Sequence, residues 1–242
     1  SANTAVTPIA AAGNIDSGNN TGWDFEAPAV TTLNIDSSNA NSSALAKPGD
    51  VVTLFFEADE ALQATPTVTI GGRQPAPEDI VNETGFAWRA SMEMQKGDPE
   101  GTVTFALDII DVAGNRSTVT EAEITDGSGV TFDATAPPAP VIEQPADGSY
   151  RTNAVLTLAG TAEAGARVQV VDESAYPVAV LGGAVADADG LWQFTTAPLA
   201  DGEHAFSASA ADAAGNVSGP SALQSVTIDS AFIANETWPD GH

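Results

Sequence analysis

Short runs in which apolar and polar residues alternate dominate the chain, separated by clusters of Gly, Asn, Asp and Pro. Val51-Val52-Thr53-Leu54-Phe55-Phe56 reads as a core strand, and so do Thr67–Ile70, Phe86–Ala90 and Thr102–Leu107. In the second half the equivalent runs are Val155–Leu158, Arg167–Val171, Leu191–Phe194, His204–Ala208 and Ser225–Ile228. A period of two places every other side chain on one face of a strand, and no segment carries a helical period. Alanine is common, but it sits between β-branched residues and turn formers without helical spacing. Turn signals recur roughly every ten residues, the rhythm of sandwiches of about seven strands. The pattern predicts an all-β fold.

The chain also repeats itself. Gly129-Val130-Thr131-Phe132-Asp133-Ala134-Thr135-Ala136-Pro137 is echoed by Thr21-Gly22-Trp23-Asp24-Phe25-Glu26-Ala27-Pro28. Asp111-Val112-Ala113-Gly114-Asn115 is echoed by Asp212-Ala213-Ala214-Gly215-Asn216, 101 residues later, and Asp24 and Asp133 lie 109 residues apart. A period near ~100 residues is what tandem immunoglobulin-like modules require. The expected organisation is two tandem immunoglobulin-like β-sandwich domains joined by a short Pro-containing linker. Residues 1–26 then form the trailing strand of a preceding repeat plus its linker. Module 1 occupies 27–132, module 2 occupies 133–230, and 231–242 is a C-terminal tail.

Charge narrows the partners. The 33 acidic and 7 basic residues give a formal charge of -26. Residues 27–132 hold 16 acids and 5 bases, and 133–242 hold 14 and 2, so acidity is spread through both halves. Such a surface repels phosphate backbones and anionic lipid, which argues against nucleic acid and membrane surfaces, while it suits hard cations. There is no cysteine, so no disulfide can support the fold. No apolar run approaches the ~20 residues needed to span a bilayer. The first residues, Ser1-Ala2-Asn3-Thr4, lack the pattern of a signal peptide, and the chain reads as a piece of something longer.

Gly160-Thr161-Ala162-Glu163-Ala164-Gly165, Asp187-Ala188-Asp189-Gly190-Leu191-Trp192, Ala200-Asp201-Gly202 and Asp212–Asn216 together resemble the bacterial Ig-like extender repeats of large calcium-dependent surface adhesins, the RTX-type and biofilm-associated proteins. The resemblance covers 133–229 closely. Residues 27–132 resemble a divergent relative, through Phe56-Glu57, the Asp111–Asn115 loop and the Asp133-x-Thr135-Ala136-Pro137 exit. It implies an exported cell-surface protein in which repeated modules hold an adhesive tip away from the cell. Receptor or glycan binding would lie elsewhere in that protein, and the immediate partners would be neighbouring modules of the same chain.

In an immunoglobulin-like sandwich the entering linker, the loop between the second and third strands and the loop between the last two strands share one pole. For module 2 this groups Asp133 and Thr135 with Glu163 and with Asp212 and Asn216. For module 1 it groups Asp24 and Glu26 with Glu57, Asp59 or Glu60, and with Asp111 and Asn115. Carboxylates crowded at one pole repel unless a cation sits among them, and Ca2+ accepts six to eight oxygen ligands of this kind. Magnesium needs tighter geometry and zinc prefers nitrogen or sulfur. The same residues have a plainer use. Asp-x-x-Gly-Asn makes a tight turn, because Asp caps it and Gly-Asn accepts positive φ. Asp187–Gly190 and Ala200–Gly202 read as hairpin turns, and Gly71-Gly72 and Gly182-Gly183 as turns at strand ends.

A catalytic set is hard to assemble. The two histidines are His204, expected on a strand surface, and His242, and neither has a recognisable Ser or Cys partner. The sequence therefore reads as a non-enzyme. Trp88 and Trp192 alternate with apolar neighbours and read as core. Trp23 reads as a plug at a module end, and Trp238 is unassigned. The leading expectation is a calcium-stiffened stalk segment outside a bacterial cell, in adhesion or biofilm. Two alternatives stand beside it: an accessory carbohydrate- or protein-binding module of a secreted enzyme, and a filament subunit assembling through its N-terminal strand.

Overall fold

Wherever β-branched and aromatic residues alternate with polar ones, the computed structural model has a strand with its apolar set turned inward. It describes residues 26–231. In chain order the strands of the first part are β1 (Val30–Ser37), β2 (Leu45–Ala46), β3 (Val51–Ala58), β4 (Thr67–Ile70), β5 (Ile80–Thr84), β6 (Ala87–Glu93), β7 (Gly101–Thr102), β8 (Phe105–Ile110), β9 (Arg116–Thr120) and β10 (Thr131–Phe132). The second part has β11 (Val141–Gln144), β12 (Ser149–Arg151), β13 (Thr157–Thr161), β14 (Arg167–Asp172), β15 (Ala179–Val185), β16 (Leu191–Thr195), β17 (Gly202–Ala211) and β18 (Gln224–Ile228). The chain divides into two units. Gly49–Thr131 and the residues up to Ser38 form the first, and Asn39–Pro48 joins the residues from Phe132 onward in the second. Both are immunoglobulin-like β-sandwiches.

The first unit packs a sheet of order β1-β3-β6-β5 against one of order β4-β8-β9. Alternation in β3 buries Val52, Leu54, Phe56 and Ala58, while Glu57 stays outside. From the facing sheet Val68, Ile70, Phe105, Leu107 and Ile109 close the core. Each such side chain contributes roughly 1.5–3 kcal/mol on leaving water, which is how a chain without disulfides holds the sandwich. Trp88 is cross-strand partner to Phe56 and keeps partial exposure.

The second unit sets β11-β13-β16 against β12-β18-β17-β14-β15, with β12 running parallel to β18. Its core gathers Ile142, Leu156, Leu158, Val168, Val170, Trp192, Phe206, Val226 and Ile228. Trp192 is buried as expected from its alternation, although its indole N–H finds no hydrogen-bond partner. The Gly182-Gly183 turn expected from sequence is instead the middle of β15. A Cβ on Gly183 would collide with the Val168 carbonyl oxygen, and one on Gly182 would come 2.7 Å from the Phe194 ring. The pair admits the close approach of β15 to β14 and β16, and needs no reversal of the chain. Gly71 and Gly72 do form a turn, at φ 57 and 79.

Candidate functional site

In each unit an Asp-x-x-Gly-Asn loop forms the connection between the last two main strands of the β8 or β17 sheet. In the first unit that connection runs from β8 to β9. Asp111 is fully buried, its Oδ1 accepting the Asn115 backbone N–H at 2.8 Å and its Oδ2 the Asn115 side-chain amide at 2.7 Å. The Asp111 backbone N–H donates to the Asn115 carbonyl at 3.1 Å, and Gly114 turns the chain at φ 93. The β3–β4 connection lies alongside, through the Leu62–Asp111 bridge. Asp59 ties the chain entry to this connection, accepting the Ala29 N–H at 2.9 Å while its own N–H donates to the Ala29 carbonyl.

The second unit repeats the loop. Asp212, 7% exposed, accepts Gly215 N–H at 2.7 Å and Asn216 N–H at 2.9 Å on Oδ1, and the Asn216 amide at 2.9 Å on Oδ2. The Asn216 amide also donates to the Asp133 carbonyl at 3.0 Å, joining linker to loop. Asn39 and Asn41 were not anticipated. Their side-chain amides donate to the carbonyls of Ala214 at 2.8 Å and Ala213 at 3.1 Å. A Cβ on Gly215, already at φ 88, would sit 3.1 Å from Asn41 Nδ2 and 3.6 Å from Lys47 Cε. Asp133 donates its N–H to Ala46 and accepts the Thr135 N–H on Oδ1 at 2.9 Å.

Among the described residues no group of three or more His, Cys, Asp or Glu side chains is gathered to hold a metal. Arg167 pairs with Ala211 across β14 and β17, so the β13–β14 and β17–β18 connections do share a pole. Glu163 nevertheless faces solvent there, and only its carbonyl is engaged, accepting the Ala166 N–H in a tight turn. Glu57 is likewise exposed on the outer face of β3. Glu26, exposed, and Glu60, half-buried, lie near the chain entry of the first unit. Asp24, Trp23, Trp238 and His242 lie outside the described residues. The Asp111 carboxylate accepts two N–H donors and the Asp212 carboxylate three, of the roughly four each can take, and these donors offset part of the cost of burying the charge. In both loops the aspartate closes a hydrogen-bonded turn, while Glu163 and Glu57 stand at exposed positions.

His204 differs from its expectation as a strand-surface residue. Its side chain is 12% exposed and contacts the carboxylate of Asp172, itself 4% exposed, at 2.6 Å from Nδ1 to Oδ2. Nε2 lies 2.9 Å from the Ala200 carbonyl oxygen. With both ring nitrogens committed, the imidazole is not placed to accept a proton from a substrate. Burial opposes the charged ring, but the Ala200 and Asp172 contacts outweigh it and raise the His204 pKa above its ordinary value. Asp172 is lowered for the complementary reason, its burial being outweighed by donors from Ser174 and His204. No helix among the described residues is long and apolar enough to cross a membrane.

Residues 144–230 match the Big_13 family model, bacterial Ig-like domain. A comparison with curated proteins finds no match. Among solved structures the chain is similar to the I-band fragment I67–I69 of titin, at 11% identity over 85% of this chain and 66% of that one, TM-score 0.45. It is similar to the subject of "Ca2+-stabilized adhesin helps an Antarctic bacterium reach out and bind ice", at 19% identity over 85% and 50%, TM-score 0.44. A 1.5-MDa bacterial ice-binding adhesin matches at 16% identity over 85% and 66%, TM-score 0.42. The chain thus spans half to two-thirds of those chains.

Proposed function

We propose that this chain is a spacer segment of a bacterial cell-surface adhesion protein, extracellular and flanked by modules of its own kind. One observation carries the proposal. The same Asp-x-x-Gly-Asn loop is built twice, with the same buried carboxylate and the same asparagine lock, in two separate sandwiches. Repeating a self-closed module adds length and load-bearing sheet without adding a reactive site. The Big_13 match over 144–230 supports the bacterial Ig-like assignment of the second unit. The acidic surface, at a formal charge of -26, keeps such modules soluble and apart.

Calcium is assigned to neither loop in this proposal, because hydrogen bonds within the protein close both. The test is replacement in the parent protein. Deleting these residues should reduce cell attachment, and an unrelated tandem Ig pair of equal length should restore it. Restoration by the native sequence alone would show that the segment binds something itself.

A further inference from the structure

We propose that Asp172, His204 and the Ala200 carbonyl form a proton-held latch that fastens the β16–β17 connection of the second unit to the end of β14 and releases it as pH rises. The latch is independent of the spacer reading: it concerns side chains at the start of β17, whatever the module is used for.

Atoms dictate it. A carbonyl oxygen can only accept, so the 2.9 Å contact at Ala200 requires a proton on Nε2. The Asp172 carboxylate, which also accepts from the Ser174 N–H at 3.0 Å and hydroxyl at 2.6 Å, requires a proton on Nδ1. Both contacts are satisfied together only by the imidazolium. A neutral ring has one N–H, and must leave either Ala200 or Asp172 facing a lone pair in a site that is 12% exposed on the histidine side. Phe206 closes the ring's face, parallel within 3° at 5.9 Å, and is itself fully buried. Water can reach the carbonyl of the exposed Ala200 but not readily the Asp172 carboxylate, 4% exposed, so the Ala200 contact is the one a neutral ring gives up.

The surroundings hold little else that titrates into this site. β14 contributes Asp172, and Glu173 just beyond it has a carboxylate that accepts the Ser207 hydroxyl at 2.7 Å. From β18 the cross-strand partner of His204 is Val226. The β16–β17 connection contributes Asp201, occupied by the Ser230 N–H and hydroxyl at 2.9 and 3.0 Å. On its own strand the neighbour is Glu203, paired across to Thr227. Of these acids Asp172 is the one whose charge favours the protonated ring.

The sign follows. A histidine raised in the folded state adds stability that is full below its unfolded value and is lost as pH rises through the folded one. Asp172 is lowered, so its share is present above the ordinary carboxylate range and lost as pH falls through its folded value. The latch is closed between those limits and opens on the alkaline side.

The test uses the whole chain, isotope-labelled, with imidazole nitrogen signals followed from about pH 5 to about pH 9. The sequence holds two histidines, and His204→Gln identifies which signals belong to His204. The expected result is a His204 midpoint above 6.5, with both ring nitrogens carrying protons below it, and a lower midpoint in Asp172→Asn. A midpoint at or below 6.5, or one that Asp172→Asn leaves unchanged, overturns the latch. Should either variant fail to fold, the unsubstituted chain decides: a midpoint at or below 6.5 for the ring that lies against Phe206 overturns the proposal, and one above 6.5 supports it.

Discussion

Asp212→Asn separates a loop locked by hydrogen bonds from a loop held by a cation. The substitution keeps shape and volume but turns one carboxylate oxygen into an NH2 group. If the amide oxygen keeps the Gly215 and Asn216 N–H donors, at 2.7 and 2.9 Å, the new NH2 meets the Asn216 side-chain amide that now donates to Oδ2 at 2.9 Å. Two donors then face each other, and a bond to a charged group worth about 1.5–3 kcal/mol is lost. The two remaining bonds fall from charge-assisted to neutral strength, roughly a halving. Relief of burying a charge at a 7% exposed site offsets part of this. A net cost of ~2–4 kcal/mol results, or on the order of 10–20 °C in the melting of a sandwich of ~100 residues. The assay is calorimetric melting of the chain and the variant, each in calcium and in chelator. The loss should be the same in both buffers. A loss seen in calcium that vanishes in chelator would make Asp212 a metal ligand and refute the reasoning.

Other consequences follow from packing. A Cβ at position 160 would strike the Val141 carbonyl oxygen, so Gly160→Ala should push β11 off β13 and cost ~2–3 kcal/mol, read from urea unfolding. Trp192→Ala should cost ~3–5 kcal/mol by emptying the core of the second unit. Trp192→Phe should cost far less, about 1 kcal/mol, because it also removes a buried N–H without a partner; equal losses in the two variants would contradict this. The stability of the second unit should decline as pH rises above 6.5, while His204→Gln flattens that decline. Parallel melting profiles for the two proteins would contradict the assignment of that slope to His204.

Strands with strict alternation were legible in the sequence, and β3, β4, β14 and β18 fall where the pattern puts them. The edges were not. β15 reads Ala179-Val-Leu-Gly-Gly-Ala-Val185, almost wholly apolar and broken by glycines, and its pairing to β14 is a matter of backbone clearance that propensity does not encode. Thr102–Leu107 read as one strand, yet it splits into β7 and β8 around Val103 and Thr104. At the loops, Asp111 and Asp212 were visible as repeated motifs, but their donors were not. The Asn39 and Asn41 amides reach Ala214 and Ala213 from 175 and 172 residues away, and a run of Asn and Ser gives no sign of a distant target. Charge is visible in a sequence and backbone N–H direction is not, so the N–H donors that close the two loops could not be read from it. The Asp172–His204 pair escaped notice for a similar reason: 32 residues separate them, and strand register alone brings them together.

Pulling single molecules by their ends tests the spacer account most directly. Two sandwiches that each close their own loops should rupture in two separate events. Each should release on the order of 300 Å, the extended length of ~100 residues less the folded span. Both events should persist in chelator at unchanged force. Smooth extension without discrete ruptures, or ruptures that disappear when calcium is removed, would contradict it.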